Sequence, residues 1–395
     1  MKQLCMLIRV IIITFTISTV CSGIEIAGHA SGEARLFPHE PILADQRQHN
    51  FSVALQPEFT HQHGNWDYTF VPFGRLDSAD RERSHLDIRE FNAFTSQDLF
   101  DFRIGIGKVY WGATEFVHLV DVVNQTDLIE HPDGEEKFGQ PMVQLTLQRS
   151  FGTFDLFALP FFRERTFAGA KGRLRPERPI AIDDAVYQSP DRKHGVSICA
   201  RYSNTIAAVD FGLYAFRGDS REPRLIPYTH QGEDIFVPFY EEMTQFGLDL
   251  TWAKNACLWK LEGIRRVGYE YTMWATTGGL EYSLFNIHAT STDLGLIAEY
   301  AYDERGKASM TPYDNDLMFG LRVTPNDSAD SQLLLGLTHD LDNSNHIYIL
   351  ETSRRIKDNW RLTAEAWIFS NLNPNSIYYG LRDDDFLRIQ LSRFF

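Results

Sequence analysis

The sequence predicts an all-β protein, an 18-stranded antiparallel transmembrane β-barrel, with 16 strands as the alternative. Three observations support this prediction. Short segments alternate apolar and polar residues, as expected for strands between two different solvents. Aromatic residues make up 13% of the chain, and they are spread over short segments, as in strands with one lipid-facing side. The connections between these segments alternate between short and long.

Residues 1–22 have the features of a secretory signal peptide. Lys2 and Arg9 precede an apolar run, and small residues follow that run. Lipid attachment at Cys21 is a weaker interpretation, because Val20 is larger than the residue usual before such a cysteine. No other run approaches 18 apolar residues, so no membrane-spanning helix is predicted. Residues 23–395 are therefore predicted to form one exported barrel domain.

Charge and cysteine content limit the possible partners and cofactors. The net charge is −15 at pH 7, and removal of the signal peptide makes the chain more acidic. We expect no nucleic acid partner, since that would require a basic surface. Only Cys199 and Cys257 remain after the signal peptide, so a disulfide is possible but not implied. His61 and His63 lack further ligands nearby, and we expect no metal and no cofactor.

The predicted strands follow one another without a change in character. They occupy residues 31–37, 50–59, 67–76, 85–94, 98–109, 141–150, 153–162, 195–203, 207–216, 244–252, 258–266, 278–285, 292–302, 316–323, 331–339, 346–353, 360–369 and 385–395.

The lengths of the connections favour a membrane barrel over a soluble β-sandwich or a half-solvated sheet. Outer-membrane barrels have short periplasmic turns and long external loops, whereas a sandwich does not sort its loops in this way. An even strand number places both termini at the periplasmic end. The predicted long connections are 38–49, 77–84, 110–140, 163–194, 217–243, 266–277, 303–315, 340–345 and 370–384.

The two faces of each predicted strand differ in polarity. In the last strand, for example, Leu387 and Ile389 alternate with Arg388. A charged side chain on the lipid face near the midplane costs about 2–4 kcal/mol, so the polar faces are predicted to line the lumen. The lumen-facing charged residues selected on this basis are Arg103, Asp249, Lys260, Glu262, Arg322, Arg361, Glu365 and Arg388.

The third external loop, residues 110–140, interrupts the alternation and is long for a connection without regular structure. Its apolar segment 117–123 favours packing on the inner wall, so the loop is predicted to fold inward. The predicted constriction consists of Trp111, Glu115, His118, Asp121, Asn124, Asp127 and Glu130. The alternative is an external loop with solvated acids, or acids bridged to lipopolysaccharide by divalent ions.

The charge of this loop predicts an acidic screen that favours cations. Within the loop, only His118, His131 and Lys137 offset the acids, which are Glu115, Asp121, Asp127, Glu130, Asp133, Glu135 and Glu136. The fourth external loop is basic instead and could gather anions, bind lipid A phosphates or simply form charged surface. Its cations are Arg163, Arg165, Lys171, Arg173, Arg175 and Arg178. The sequence therefore leaves ion selectivity open.

Catalysis is not predicted. Residues 339–342 contain the Asp and His types that an outer-membrane protease uses, but four polar residues in a tight connection usually form a turn. The convergent Ser, His and Asn of a phospholipase are not visible in a sequence. A receptor with a plug domain requires 22 strands and a large N-terminal segment, which this chain lacks before its first predicted strand.

Two segments resemble known proteins. The last strand ends in Phe395 and resembles the closing strand of Gram-negative outer-membrane proteins, which implies recognition by the barrel-assembly machinery. The second segment resembles the signature of a poorly characterised family of large outer-membrane barrels, except that Gln125 stands where that family has proline. The matching residues are Gly107, Lys108, Trp111, Gly112, Asp121, Val122, Val123, Asn124 and Asp127.

These resemblances imply a location in the Gram-negative outer membrane, with its lipid and lipopolysaccharide as partners. In general porins, a third loop of similar length folds inward and narrows the pore. The predicted function is a passive, porin-like channel for small polar solutes. The alternatives are a non-conducting surface receptor or structural barrel, and an export or lipid-transfer conduit with periplasmic partners.

Overall fold

The computed structural model describes residues 23–395 except Met310 and Asn375, so the predicted signal peptide lies outside the described residues. The strands are β1 Ile24–Leu36, β2 His49–His63, β3 Trp66–Asp77, β4 His85–Ser96, β5 Phe100–Gly107, β6 Gln140–Arg149, β7 Gly152–Leu159, β8 Val186–Tyr187, β9 Ser197–Ile206, β10 Val209–Asp219, β11 Arg224–His230, β12 Glu233–Tyr240, β13 Glu242–Lys254, β14 Cys257–Val267, β15 Thr272–Leu284, β16 Asp293–Asp303, β17 Asn315–Thr324, β18 Gln332–Asp340, β19 His346–Lys357, β20 Trp360–Ser370 and β21 Phe386–Phe394.

The remaining regular structure consists of short 3₁₀ helices in the connections. They are Ile182–Asp184, Arg192–His194, Ile287–Ala289, Gly306–Ala308 and Ile377–Leu381. Among the described residues, no helix is long and apolar enough to span a bilayer.

Eighteen of the strands form one closed antiparallel barrel. Each barrel strand pairs with the next one along the chain, and β1 pairs with β21 to close the sheet, from His29 opposite Phe394 to Leu36 opposite Leu387. The prediction of 18 strands is confirmed, and every predicted strand overlaps a barrel strand. Closure matters physically because it leaves no unpaired sheet edge.

The connections separate the barrel into a short-turn end, which holds both termini, and a long-loop end. The longest connections, 108–139, 160–196 and 220–241, lie at the long-loop end as predicted. The sorting is less strict than expected, because the predicted long loop 266–277 spans only 268–271. Pairing of Val267 with Thr272 extends the β14–β15 ladder into that region.

The long connections carry a small sheet that the sequence analysis assigned to loops. Strands β11 and β12 form an antiparallel hairpin, and β8 pairs in parallel with β12. The hairpin turns at Gln231 and Gly232, both with positive φ, a conformation that glycine adopts freely. The sequence signal for this hairpin is Gly232 between two segments rich in β-branched and aromatic residues, 225–229 and 235–240.

The two barrel faces differ as predicted. Outward side chains such as Leu213, Phe246 and Phe319 have about half of their surface exposed, and they form an apolar belt. The apolar core lies instead inside the barrel, where residues of the β5–β6 connection pack on the inner wall. A sheet that is apolar outside and polar inside is the arrangement expected of a transmembrane barrel.

Candidate functional site

Residues 108–139, called the lumen loop here, connect β5 to β6 and lie inside the barrel. Val120, Val123 and Asp127 have no exposed surface, which would not be possible for a loop standing in solvent. The lumen loop reaches opposite parts of the wall, because Glu115 pairs with Arg322 on β17 and Asp127 pairs with Arg89 on β4. It corresponds to the predicted inward loop 110–140.

The Asn124 side chain closes the base of the lumen loop. Its amide donates hydrogen bonds to the carbonyl oxygens of Gly107 (2.9 Å) and Phe138 (2.8 Å), and its oxygen accepts one from the Val109 N–H (2.9 Å). Only a carboxamide supplies two donors and one acceptor in this geometry. This gives Asn124 a structural role at the neck of the loop.

The Glu262 carboxylate on β14 holds the turn of the lumen loop that faces it. One oxygen accepts hydrogen bonds from the N–H groups of Ala113 (2.6 Å) and Thr114 (3.1 Å) and from the Thr114 hydroxyl (2.8 Å). The other oxygen accepts one from the Val120 N–H (3.2 Å). Hydrogen bonds to an ionised acceptor are roughly twice as strong as neutral ones, so Glu262 is a main anchor of the loop.

A second wall carboxylate, Glu299 on β16, was not selected from the sequence. It accepts hydrogen bonds from the N–H groups of Glu115 (2.9 Å) and Phe116 (3.2 Å). The Glu115 carboxylate in turn lies 2.6 Å from Arg322 and 3.8 Å from Lys260. Alternation places Glu299 on the inner face, which was the available signal.

The opposite wall presents arginines to acids of the lumen loop. Arg75 on β3 pairs with Glu130 at 2.7 Å, and Arg89 on β4 pairs with Asp127 at 2.8 Å. His85 lies 3.7 Å from both carboxylates, so these three residues place possible metal ligands together. Because each carboxylate already faces a guanidinium, the arrangement is an ion-pair network rather than a cation site.

His131 joins the lumen loop to β20. Its Nε2 lies 2.5 Å from Glu365 and its Nδ1 lies 2.8 Å from Asp133, while Arg388 pairs with Glu365 and, at 2.9 Å, with Glu33. Burial alone would lower the pKa of His131, but Asp133 and Glu365 outweigh it and raise the pKa to about 9. The imidazole is therefore charged at neutral pH.

His118 and Asp121 also form ion pairs within the lumen loop. His118 lies 2.7 Å from Glu135; burial opposes its charge, but the Glu135 and Glu262 carboxylates raise its pKa to about 10. Asp121 lies 3.2 Å from Lys137. Burial raises the pKa of Asp121, with Lys137 acting against that effect.

Apolar contacts also hold the lumen loop against the wall. The Trp111 ring packs 5.2 Å from Tyr214 and 5.8 Å from Phe157 on the wall, measured between ring centroids. On the β17–β18 side, a Cβ at Gly320 or Gly336 would approach the Phe116 ring to 3.3 or 3.1 Å. Glycine at these two positions therefore leaves room for that ring.

The charge pattern differs from the expected acidic screen. Six of the seven acids have a cation within 4 Å, and for three of them it is a wall arginine that the sequence analysis had not paired with the loop. The acids with a partner are Glu115, Asp121, Asp127, Glu130, Asp133 and Glu135. The lumen loop is thus mixed in charge.

The predicted lumen-facing residues lie at different heights. Lys260, Glu262, Arg322, Glu365 and Arg388 belong to the network around the lumen loop described above. Asp249 pairs with Arg201 at 2.6 Å, and Arg201 lies over the Trp111 ring. Nearer the short-turn end, Arg361 pairs with Asp330 at 2.5 Å, and Arg103 lies 5.8 Å from the Phe94 ring.

Most arginines of the basic fourth loop are tied into the structure, while Lys171 and Arg178 are exposed. Arg163 pairs with Asp87 at 2.7 Å, and Arg173 pairs with Asp384 at 2.5 Å. Arg175 is buried and donates to backbone carbonyl oxygens. These contacts tie the loop to β4 through Arg163, to the loop before β21 through Arg173, and to itself through Arg175.

The possible protease residues at 339–342 form a turn. The Asp340 carboxylate accepts hydrogen bonds from the N–H groups of Asp342 (2.7 Å) and Asn343 (2.9 Å). The His339 ring stacks on His346, 4.8 Å away, and does not face Asp340. Residues 339–342 therefore form a hydrogen-bonded turn in which the His339 and Asp340 side chains have separate structural roles.

A cavity of about 360 Å³ lies on the long-loop side of the lumen loop. Its lining combines aromatic rings, arginines and acids drawn from many connections, which sequence spacing could not have brought together. Its lining includes Tyr313, Trp367, Tyr378, Arg266, Arg305 and Asp340.

No family model matches the chain, and no curated protein is similar to it in sequence. The fold resembles solved structures at low identity. A BenF-like porin from Pseudomonas fluorescens Pf-5 is 8% identical with a TM-score of 0.54, covering 94% of this chain and 97% of that one. Wzi, an Escherichia coli outer-membrane protein involved in group 1 capsule assembly and described as a carbohydrate-binding β-barrel, is 9% identical with a TM-score of 0.53, covering 94% and 84%. The chain therefore has the fold of porin-like outer-membrane barrels.

Proposed function

We propose that the protein is a non-enzymatic barrel of the Gram-negative outer membrane that conducts small polar solutes passively, with the lumen loop as its constriction. The long-loop end faces the exterior and the short-turn end faces the periplasm. The observation that carries this proposal is the attachment of one loop to opposite walls, through Arg322 on one side and Arg89 on the other.

The polarity of the lumen supports a route for hydrated solutes. On the periplasmic side, the inner wall carries partly exposed charged groups, such as Arg322 and Arg361, that water can hydrate. On the exterior side, the cavity ends on the lumen loop. Because acids and cations are paired along this route, we infer weak selection between cations and anions rather than an acidic filter.

A liposome-swelling assay with uncharged solutes of increasing size tests this proposal. We expect pentoses and small amino acids to enter vesicles that contain the protein, and tetrasaccharides to be excluded. Equal permeability to all sizes would contradict a constriction. Absence of swelling with every solute, from barrels shown to be folded, would contradict conduction.

A second candidate is a non-conducting barrel that binds saccharides. It is favoured by the cavity, whose lining combines the aromatic rings of Tyr313, Trp367 and Tyr378 with the polar side chains of Arg266 and Asp340. The likeness to Wzi, which is described as carbohydrate-binding, supports it at the level of fold only. Titration of the protein with oligosaccharides, followed by tryptophan fluorescence, distinguishes the two candidates when combined with the swelling assay.

A further inference from the structure

Two arginines interrupt the apolar outer face near the long-loop end. Arg217 is the third residue from the end of β10, and Arg265 is the third residue from the end of β14. Their neighbours Phe216 and Arg266 are buried on the inner side, so alternation directs both guanidinium groups outward. The two positions therefore lie at similar heights in the barrel wall.

In the adjacent strands, both arginines have outward-facing neighbours that belong to the apolar belt. Arg217 lies between Ile198 and Thr244, and Arg265 lies between Phe246 and Trp274 in the adjacent strands. Ile198, Phe246 and Trp274 have 54%, 52% and 47% of their surface exposed. Such a surface is covered by lipid in a membrane barrel, so these cations lie within or at the edge of the lipid-covered zone.

Neither guanidinium has a hydrogen-bond, ion-pair or ring partner among the described residues. Outward cations at the short-turn end differ in this respect. Arg149 donates to the Leu99 carbonyl oxygen at 2.8 Å, and Arg393 lies 5.8 Å from the Trp360 ring. Arg217 and Arg265 therefore present free donors to whatever covers the belt.

The free-energy cost of placing a charged group in lipid limits what can cover Arg217 and Arg265. An arginine on the lipid face is strongly unfavourable at the bilayer midplane and nearly neutral close to the interface. Both residues lie about 7 Å from the ends of their strands, which is headgroup height. They are two strands apart and offset by two residues in register, which is about 12 Å in the plane of the sheet, with the Thr244 hydroxyl between them. The acid nearest in register, Glu242, lies two residues beyond Thr244 toward the long-loop end.

We propose that Arg217 and Arg265 bind the phosphate groups of a phosphorylated glycolipid in the outer leaflet. This inference rests on the membrane orientation proposed above but not on solute conduction. Guanidinium groups form bidentate hydrogen bonds to phosphate oxygens and are the side chains best suited to that geometry. A glycolipid with two phosphates can engage both arginines at once, whereas a phospholipid with one phosphate engages only one of them.

Native mass spectrometry of the full barrel in detergent tests the site, with diphosphorylated lipid A, dephosphorylated lipid A and phosphatidylglycerol as probes. The variant is Arg217→Gln with Arg265→Gln, and the matched control is Arg149→Gln with Arg393→Gln, the outward arginines at the short-turn end. We expect the diphosphorylated probe to bind about 100-fold more weakly to the variant, about tenfold per guanidinium, and equally well to the control. A variant with both arginines changed to Lys keeps the charges and is expected to lose part of the affinity.

Several outcomes would overturn the proposal. They are wild-type affinity in the glutamine variant, an equal loss in the control, or equally tight binding of dephosphorylated lipid A. Equal affinity for phosphatidylglycerol would refute the assignment to a glycolipid. Folding of each variant is checked by heat-modifiable gel mobility, and lipid binding is read from folded barrels whether or not they conduct, which separates this test from that of the channel.

Discussion

Replacement of Glu262 by Gln tests how the lumen loop is held. The wild-type carboxylate accepts hydrogen bonds from the N–H groups of Ala113, Thr114 and Val120 and from the Thr114 hydroxyl. The change keeps the size of the side chain, removes its charge and leaves one acceptor oxygen. The remaining barrel ladder is unaffected, so the effect should be confined to the lumen loop.

The expected magnitude follows from these four contacts. In its better orientation, the glutamine oxygen retains the donors of Ala113 and Thr114, and its amide then faces the Val120 N–H, which is also a donor. At least one hydrogen bond to a charged group is lost, worth about 1.5–3 kcal/mol. The population of the detached loop should therefore rise by about 10- to 150-fold.

Cys199 provides the readout. Its thiol is free and buried in the apolar cluster that contains Trp111, Val122 and Val123 of the lumen loop, so detachment should expose it. The rate of maleimide labelling at fixed pH is measured on residues 23–395 carrying Cys257→Ser, which leaves one thiol. When reclosing is fast, this rate follows the opening equilibrium.

Asp101→Asn is the matched control. Asp101 is an acid of β5 that accepts hydrogen bonds from Ser96 (2.6 Å) and Gln148 (2.9 Å) near the short-turn end, away from the lumen loop and from Cys199. We expect its labelling rate to match that of the wild type. If Glu262→Gln also labels Cys199 at the wild-type rate, Glu262 does not anchor the loop and the reasoning is refuted.

Three further predictions concern the same loop. Asn124→Asp loses both donors at the neck, so labelling of Cys199 should rise at least tenfold; an unchanged rate would contradict the role of the amide. Because the pKa of His131 is raised to about 9, its stabilising pair with Glu365 is complete below pH 6.5 and lost as the pH rises through 9. The thermal unfolding midpoint should fall over that range in wild type and fall less in His131→Gln; equal slopes would contradict this. Gly336→Val should displace the Phe116 ring, which a lowered melting temperature with intact heat-modifiability would reveal.

The barrel strands could be predicted from the sequence because the alternation of apolar and polar residues is a property of each strand alone. This alternation correctly placed Arg388 and Glu365 on the inner face, where Glu365 pairs with both Arg388 and His131. The inward position of residues 108–139 also followed from sequence, since the apolar segment needed an apolar partner. The location of Val120 and Val123 in the core agrees with that argument.

The pairing of charges could not be predicted in the same way. Whether Arg75 meets Glu130 depends on the stagger and tilt of the strands around a closed barrel, which no single strand encodes. Glu299 was missed for this reason, although its face was evident. The hairpin Arg224–Tyr240 was missed for a different reason. Its strands do not alternate between apolar and polar residues, and each contains a proline, Pro227 or Pro238, which disfavours a strand prediction.

The most direct test of the central claim is the single-channel conductance of a barrel with a shortened lumen loop. Residues 113–137 are replaced by a short Gly-Ser linker, and the control shortens the exterior hairpin at 226–237 instead. The account predicts that conductance rises severalfold in the lumen-loop variant and stays at the wild-type level in the hairpin variant. Equal conductance in all three folded proteins would contradict the claim that the lumen loop sets the width of the channel.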